Sequence, residues 1–412
     1  MTKAIEHYKK DMPSIRGLYR VGIGPSSSHT IGPERICRAF SERYADATRY
    51  EVVLFGSLAQ TGVGHGTDRV IRQVLAPKEV EISFDLTDTD LPHPNTMDIS
   101  AYKGDVLLGK SRGLSIGGGE IRLEGFSFPE QKVAYPHRSF AEISAYCREK
   151  GIYLWQYVEE VEGKDIREFL LHIWRTMENA VEAGLSAEGI LPGGLGVQRK
   201  AKQLISQVPK YENAHKKDTR EICAYAFAVS EENAGGGRIV TAPTCGAAGV
   251  LPAVLYHARQ HGATEEDMWH ALAAASVVGN LTKTNASVSG AECGCQAEIG
   301  TACSMAAAAL AELQKLSLDQ IEYAAEIAFE HQLGLTCDPI CGLVQIPCIE
   351  RNAVAAMRAI NAVCLAEFLT DSRKISLDLV IRTMYETGKD LHGKYRETAL
   401  GGLAELYGKP LT

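Results

Sequence analysis

The chain has 412 residues, 45% of them hydrophobic and 23% charged, the make-up of a globular protein long enough for two domains. Lys and Arg number 43 against 51 Asp and Glu, a net charge of -8, and no basic stretch offers a face to nucleic acid. The best apolar run, Ala271–Val278, stops at Gly279 and Asn280, short of the ~20 residues of a membrane helix. The opening MTKAIEHYKKD lacks the apolar core of a signal peptide. No nucleic-acid partner, no membrane and a cytoplasmic location are expected.

In chain order, the first candidate site is VGIGPSSSHTIGPERI, Val21–Ile36. Gly22, Gly24 and Pro25 break regular structure, and Ser26, Ser27, Ser28, His29 and Thr30 then follow at the start of a helix. Consecutive hydroxyls and N–H groups at a helix start suit a small anion such as a carboxylate; a solvated Ser-rich loop is the plainer alternative. Tyr50–Leu58 reads as a strand. GSLAQTGVGHGTD, Gly56–Asp68, reads as a glycine-rich turn around His65, with Thr67 or Asp68 capping the helix that Pro77 ends. A histidine there suits a general base or a substrate-orienting group, or is simply exposed. Lys78–Leu86 and Glu120–Phe128 are further strands, and Ser115–Glu120 (SIGGGE) is a close-packing turn between strands. It is not a dinucleotide site, because no helix follows the glycines. The first third is thus an α+β domain, residues 1–137.

From Ser139 the texture is helical: FAEISAYCREKG, IREFLLHIWRTMENAVEAG, EDMWHALAAASVVG, ACSMAAAALAELQKLS and LDQIEYAAEIAFEHQLG carry apolar residues at helical spacing with glycine stops. Their alanine content suits helices packed all round in a core, giving an all-α domain over residues 138–412. LPGGLGVQRKA (191–201) and TAPTCGAAG (241–249) are glycine-rich approaches to helices. The second, with Thr244 and Gly246, is an anion cradle or a tight-packing element.

Eleven cysteines are present, and seven of them lie between Cys245 and Cys348. Such clustering in a cytoplasmic chain favours metal binding or catalysis over disulfides. Cys37, Cys147, Cys223 and Cys364 stand alone and read as small buried hydrophobes. The clustered set lacks the C-x2-C pairs of zinc knuckles and the C-x2-C-x2-C run of ferredoxin-type carriers. Three thiolates from separate loops would still hold an iron–sulfur cluster with one iron open to substrate.

GPSSSHTIGP, GSLAQTGVGHGTD, SIGGGE, LPGGL, TAPTCGAAG, SGAECGCQAEIGTACSMAAA, LGLTCDPICGLVQIPCIERNA and KYRETALGGLA together resemble the successive signatures of bacterial iron–sulfur L-serine dehydratases (L-serine ammonia-lyases), from about residue 16 to 404. The resemblance implies an N-terminal domain similar to the allosteric substrate-binding domain of some phosphoglycerate dehydrogenases, followed by a helical catalytic domain. It implies a 4Fe-4S cluster on Cys295, Cys337 and Cys348, no pyridoxal phosphate, and conversion of L-serine to pyruvate and ammonia by a homodimer. Ser26, Ser27, Ser28, His29, Thr30, His65 and Thr67 then line the substrate site, with His65 the first choice of base. Cys245, Cys293, Cys341 and Glu120 depart from the family's pattern (Asn, small aliphatic, Gly or Ala, and aromatic). An extra thiol closing the cluster, or another small β-substituted acid such as threonine or cysteine as substrate, stays open on that ground, as does a non-catalytic iron–sulfur sensor.

Overall fold

A computed structural model of the chain describes residues 12–88, 90–128, 133–369 and 372–407. The opening segment read for a signal peptide lies outside them. The strands are β1 (Met12–Pro13), β2 (Val21–Ile23), β3 (Arg49–Phe55), β4 (Glu79–Asp85), β5 (Thr96–Lys103), β6 (Val106–Gly117), β7 (Glu120–Leu123), β8 (Val133–Tyr135) and β9 (Arg238–Val240). Helices α1 (Gly32–Arg43), α2 (Gly56–His65) and α3 (Thr67–Leu75) belong to the same first third.

The main sheet runs β4-β3-β5-β6-β7. Its β3–β4 pair is parallel, as a connection through α2 and α3 allows, and the other pairs are antiparallel. Along β3, Tyr50, Val52 and Leu54 alternate inward and meet Ile36, Phe40 and Ile71 of the helices in one core. The Gly117–Gly119 turn between β6 and β7 is the hairpin read from SIGGGE.

Two strands of the main sheet, β5 and β6, were not read from the sequence, and β5 shows what the sequence hides. Thr96, Asp98 and Ser100 alternate with Met97, Ile99 and Ala101, and both sets are buried, so the polar face is covered as well as the apolar one. Asp98 stands opposite Arg112 of β6 in register, and the guanidinium closes on its carboxylate at 2.7 and 3.0 Å. A paired charge lets the strand's polar face be buried too.

The helical domain comprises α4 (Phe140–Lys150), α5 (Leu154–Glu162), α6 (Ile166–Ser186), α7 (Ala201–Ser206), α8 (Ala214–Gly235), α9 (Val250–Gln260), α10 (Glu265–Asn285), α11 (Gly290–Cys293), α12 (Thr301–Leu313), α13 (Leu318–Glu330), α14 (Cys348–Phe368), α15 (Leu377–Asp390) and α16 (Gly402–Leu406). Ser139 caps α4 and Gly151 ends it in the left-handed conformation. The alanine-rich α12 is buried on every face from Thr301 to Ala309, as its composition implied.

The glycine stops did not all hold. Gly184 lies inside α6 and Gly279 inside α10. The α8 backbone at Ala228 packs against Gly184, and a Cβ on Gly279 would stand 2.8 Å from Leu18 and Met305. These glycines serve close approach, not termination. Cys37 and Cys147 are buried and Cys223 is partly so, but Cys364 is exposed on α14, which corrects its reading as a buried hydrophobe. Among the described residues no helix is long and apolar enough to cross a membrane.

The two parts are tied at the base of the site. Met12, Ile15, Leu18 and Tyr19 lie in the core of the helical domain. Strand β2 pairs with β9 through Val21–Val240 and Ile23–Arg238. The loop that follows β2, with Ser26 to Thr30, is thereby held against the helical domain.

Candidate active site

Two groups of side chains meet where the sheet domain faces the helical domain. The first is built on histidines. Ser27–Ile31 winds as a π-turn leading into α1, and Ser26 caps it by accepting the His29 N–H at 3.2 Å. Ser26, Ser27, Ser28, His29 and Thr30 are all buried. The Thr30 hydroxyl turns back onto the Ser26 and Ile23 carbonyls at 2.5 and 3.2 Å. The expectation of a solvated loop fails, and the expected helix start is a wider turn that points His29 inward.

His65 was expected on a turn and is instead the last residue of α2, with Gly66 in the left-handed conformation after it. A helix so rich in glycine forms because the loop after Pro339 presses on it: a Cβ on Gly64 would lie 2.5 Å from the Cys341 carbonyl. Thr67 opens α3 after Gly66, so the expected Thr67 or Asp68 cap is not made. The Thr67 hydroxyl is buried without a hydrogen-bond partner.

The His29 and His65 rings stack at 4.1 Å. Around His29 Nε2 lie the Thr61 hydroxyl at 2.9 Å and the Ser57 carbonyl at 3.2 Å. His65 Nδ1 lies 3.0 Å from the Thr61 carbonyl, which can only accept, so that nitrogen carries the proton. His65 Nε2 therefore bears the lone pair, and it is buried with no hydrogen-bond partner. Glu397 completes the group, with Oε1 3.5 Å from His29 Nδ1 and 4.0 Å from His65 Nε2. Burial lowers His29 well below the usual histidine range, helped by the neighbouring His65, and lowers His65 to about 4. Both rings are neutral near pH 7.

The second group is built on cysteines. Cys295 follows the short α11, Cys337 lies in the loop after α13, and Cys348 is the first residue of α14, whose N-terminus favours a thiolate. Each sulfur acts electrostatically on the others. Burial raises all three thiols, Cys295 to about 12. Arg351, one turn into α14, answers them: burial would lower it, but Cys295, Cys348 and Cys337 hold it raised. Its guanidinium is fixed by the Thr336 carbonyl at 2.6 Å and Asp338 at 3.2 Å.

Glu298 lies between the cysteines and the TAPTCGAAG segment. Thr244 faces it without closing a well-formed hydrogen bond, and Cys337 Sγ lies 3.9 Å from its Oε2. Gly246 and Gly290 let it in, since a Cβ on them would stand 3.4 and 2.6 Å from its carboxylate. Burial raises the Glu298 carboxyl, and burial with Glu298 raises Glu397 well above the usual range.

One strap joins the groups. Glu397 N–H donates to the Cys337 carbonyl at 2.9 Å, and the Ser57 hydroxyl donates to the Glu397 carbonyl at 2.9 Å. Glu397 adopts φ +59 to do this, a conformation uncommon for a residue with a Cβ. Glu298, Arg351 and Glu397 were not singled out from the sequence, although the motifs quoted above contain all three. A charged residue carries no sign of burial until the fold closes over it.

A cavity of about 180 Å³ opens beside His65, bounded by Pro25, Pro192, Gly193, Leu343 and Gln345. A larger one, about 430 Å³, lies apart between the β6–β7 hairpin and the α10–α11 connection. Glu120 lines that larger cavity and binds Lys283 at 2.6 Å. Of the three unusual thiols, Cys245 is buried near Glu298, Cys293 packs against Gly388 of α15, and Cys341 is exposed.

Buried bases beside three clustered cysteines make a polar, water-poor candidate centre, and comparison with known proteins gives the chain its class. The serine dehydratase beta-chain family model matches residues 14–81, and the alpha-chain model matches residues 74–404. L-serine dehydratase 1 of Escherichia coli K12 is 42% identical over 95% of this chain and 99% of its own length. The L-serine dehydratases of Streptomyces coelicolor and Haemophilus influenzae are 42% and 41% identical over 95% of the chain and 98% and 99% of theirs. The protein is an enzyme of the lyase class. It belongs to the serine dehydratase family, with the alpha-chain and beta-chain regions on one polypeptide.

Proposed function

We propose that the enzyme converts L-serine to pyruvate and ammonia, with a 4Fe-4S cluster held by Cys295, Cys337 and Cys348. The observation that carries this reading is the strap through Glu397, which sets a neutral, unpartnered His65 Nε2 beside the cysteine group. The donor set fits such a cluster. The cysteines are buried, free and mutually interacting, yet they are not among the groups whose ligand atoms all fall within 4.8 Å, as one bound ion would require. A cluster spaces its thiolates more widely than a single ion does, and Arg351 offsets part of its charge. When bound, the cluster supplies a Lewis-acidic iron without a protein ligand, for the hydroxyl and carboxylate of the substrate.

The chain's own residues do the rest. The hydroxyls and N–H groups of Ser26, Ser27, Ser28 and Thr30, with Thr67, Thr244 and the Gly246 turn, receive and orient the amino acid. His65 Nε2 takes the α-proton, its ring held by the Thr61 carbonyl. His29, stacked on His65, positions it. The β-hydroxyl leaves with the proton that His65 removed, as water, which returns His65 to its neutral form, and the resulting aminoacrylate tautomerises to an imine, which water hydrolyses to pyruvate and ammonia. No pyridoxal phosphate enters this scheme. Free cysteines throughout support a reducing, cytoplasmic setting. Exposed Val354, Leu365 and Phe368 on α14 support the homodimer.

The test is anaerobic: load the purified enzyme with iron and sulfide, add L-serine and follow pyruvate. Turnover supports the reading; an intact cluster without pyruvate sinks it, and threonine and cysteine are then assayed for their 2-oxo acids. Cys245 favours a second reading, since it is the extra thiol that shares Glu298 with the cluster cysteines. If it closed the cluster as a fourth ligand, the protein would be a sensor, and serine would leave the cluster spectrum unchanged.

A further inference from the structure

We propose that the enzyme carries a second metal site, for a borderline divalent transition ion such as Zn2+, formed by Asp218, Glu221, His257 and His261 where α8 and α9 pack together. One ligand atom from each of the four lies within 4.8 Å of all the others. The spacing explains the convergence. Asp218 and Glu221 are three apart near the start of α8, and His257 and His261 are four apart at the end of α9, so each pair shares a helix face. The helices run antiparallel: Tyr225 of α8 meets Tyr256 of α9 edge to face at 4.8 Å, and a Cβ on Gly249 would reach Ser230 at 2.5 Å.

Two details go beyond proximity. His261 Nδ1 is 2.8 Å from the His257 carbonyl, which can only accept. The proton is therefore on Nδ1 and the Nε2 lone pair is free, the way metal-bound imidazoles are oriented. His257 Nε2 is buried and unpartnered, because Asp218 at 3.6 Å is too far for a hydrogen bond. Lys217 holds Glu221 only loosely at 3.8 Å and can give way, while Arg220, which Glu221 also acts on, is engaged by Glu212 at 2.6 and 2.9 Å.

Two imidazoles and two carboxylates suit Zn2+ and its neighbours in the first transition row, whereas Mg2+ and Ca2+ prefer oxygen throughout. The site is remote from the cysteines. Asn233, at the other end of α8, holds the Pro25 carbonyl at 2.8 Å, fifteen residues and roughly 20 Å from Asp218 along the helix. An ion here would brace the two helices at the end opposite the chemistry.

The test is independent of whatever the cysteines bind, because it reads a difference. Wild-type enzyme and the His257→Ala/His261→Ala variant are titrated anaerobically with Zn2+ by calorimetry, and with Co2+ by visible absorption. Wild type should take up one more equivalent than the variant, and the variant should bind that equivalent at least ~100-fold more weakly, since even outer-shell changes cost 10–100-fold. The Co2+ difference spectrum should show weak visible bands without the intense near-ultraviolet bands of thiolate ligation. Equal stoichiometry in the two proteins overturns the proposal, as does a thiolate-type difference spectrum. Should the double variant fail to fold, Asp218→Asn/Glu221→Gln replaces it under the same two criteria.

Discussion

The two halves of the site are made differently. The histidine half is seated on regular structure, a helix end and a capped π-turn, and hydrogen bonds to Thr61 and Ser57 fix its rings. The cysteine half comes from a helix start and two loops, and its thiols are raised by burial with Arg351 as the cation acting on all three. One half is finished by the fold alone. The other carries buried groups that favour their charged form only when a metal centre supplies the opposing charge.

The largest effect should come from breaking the unfinished half. Ser in place of Cys295, Cys337 or Cys348 should abolish iron and sulfide incorporation and pyruvate formation together, read by metal analysis and assay on the same sample. A variant with full cluster content and activity removes that residue from the ligand set. His65→Ala tests the other half: cluster content should stay at the wild-type level while kcat falls by ~10²–10⁴, the usual worth of a general base. Normal turnover would take the base role from His65.

The histidine half was the more legible of the two in the sequence, but not in its local structure. The polar residues of Ser26 to Thr30 and the glycines around His65 marked the positions, whereas the helix Gly56–His65 hides behind three glycines of its own and Gly66 at its end. They read as a turn, although Gly64 is there for close contact with the loop at Cys341 and Gly342, far away in the sequence. The reverse holds for the cysteines, whose crowding between Cys245 and Cys348 stood out in the sequence while Glu298 and Glu397 beside them gave no signal. Periodicity reports which residues face a core; it is silent on charged residues that the tertiary fold encloses. In strand β5 the alternation marks Met97, Ile99 and Ala101 as core-facing, but nothing in it shows that Asp98 on the other face is buried and paired across the sheet.

A smaller effect probes the seam between the halves. In Gly64→Ala the added methyl would stand 2.5 Å from the Cys341 carbonyl, so α2 and the loop leading to Cys348 must separate. Overpacking of this kind costs ~1–3 kcal/mol, and a displacement of His65 relative to the cysteines should lower kcat by up to ~100-fold. Thermal melting and the pyruvate assay read the two effects. Wild-type values in both would show that the halves tolerate independent movement.

The smallest expected effect concerns protons, and its sign can be worked out. His65, lowered to about 4 by burial, takes up a proton in the folded enzyme only as the pH falls through about 4, while the unfolded chain does so near 6.5. Between those values the unfolded state holds more protons, so this term's contribution to stability is lost as the pH drops. Glu397 works the other way: its raised carboxyl binds a proton earlier in the folded state, and its contribution is lost as the pH rises through that raised value. The sum seen in melting is therefore flatter than either part, and the groups must be read one at a time. Nuclear magnetic resonance of imidazole-labelled, metal-free enzyme should find His65 neutral at pH 5, with the proton on Nδ1, and His29 neutral beside it. An imidazole there that titrates near 6.5 would mean the histidine half is open to water, and the contrast between a finished and an unfinished half would fall with it.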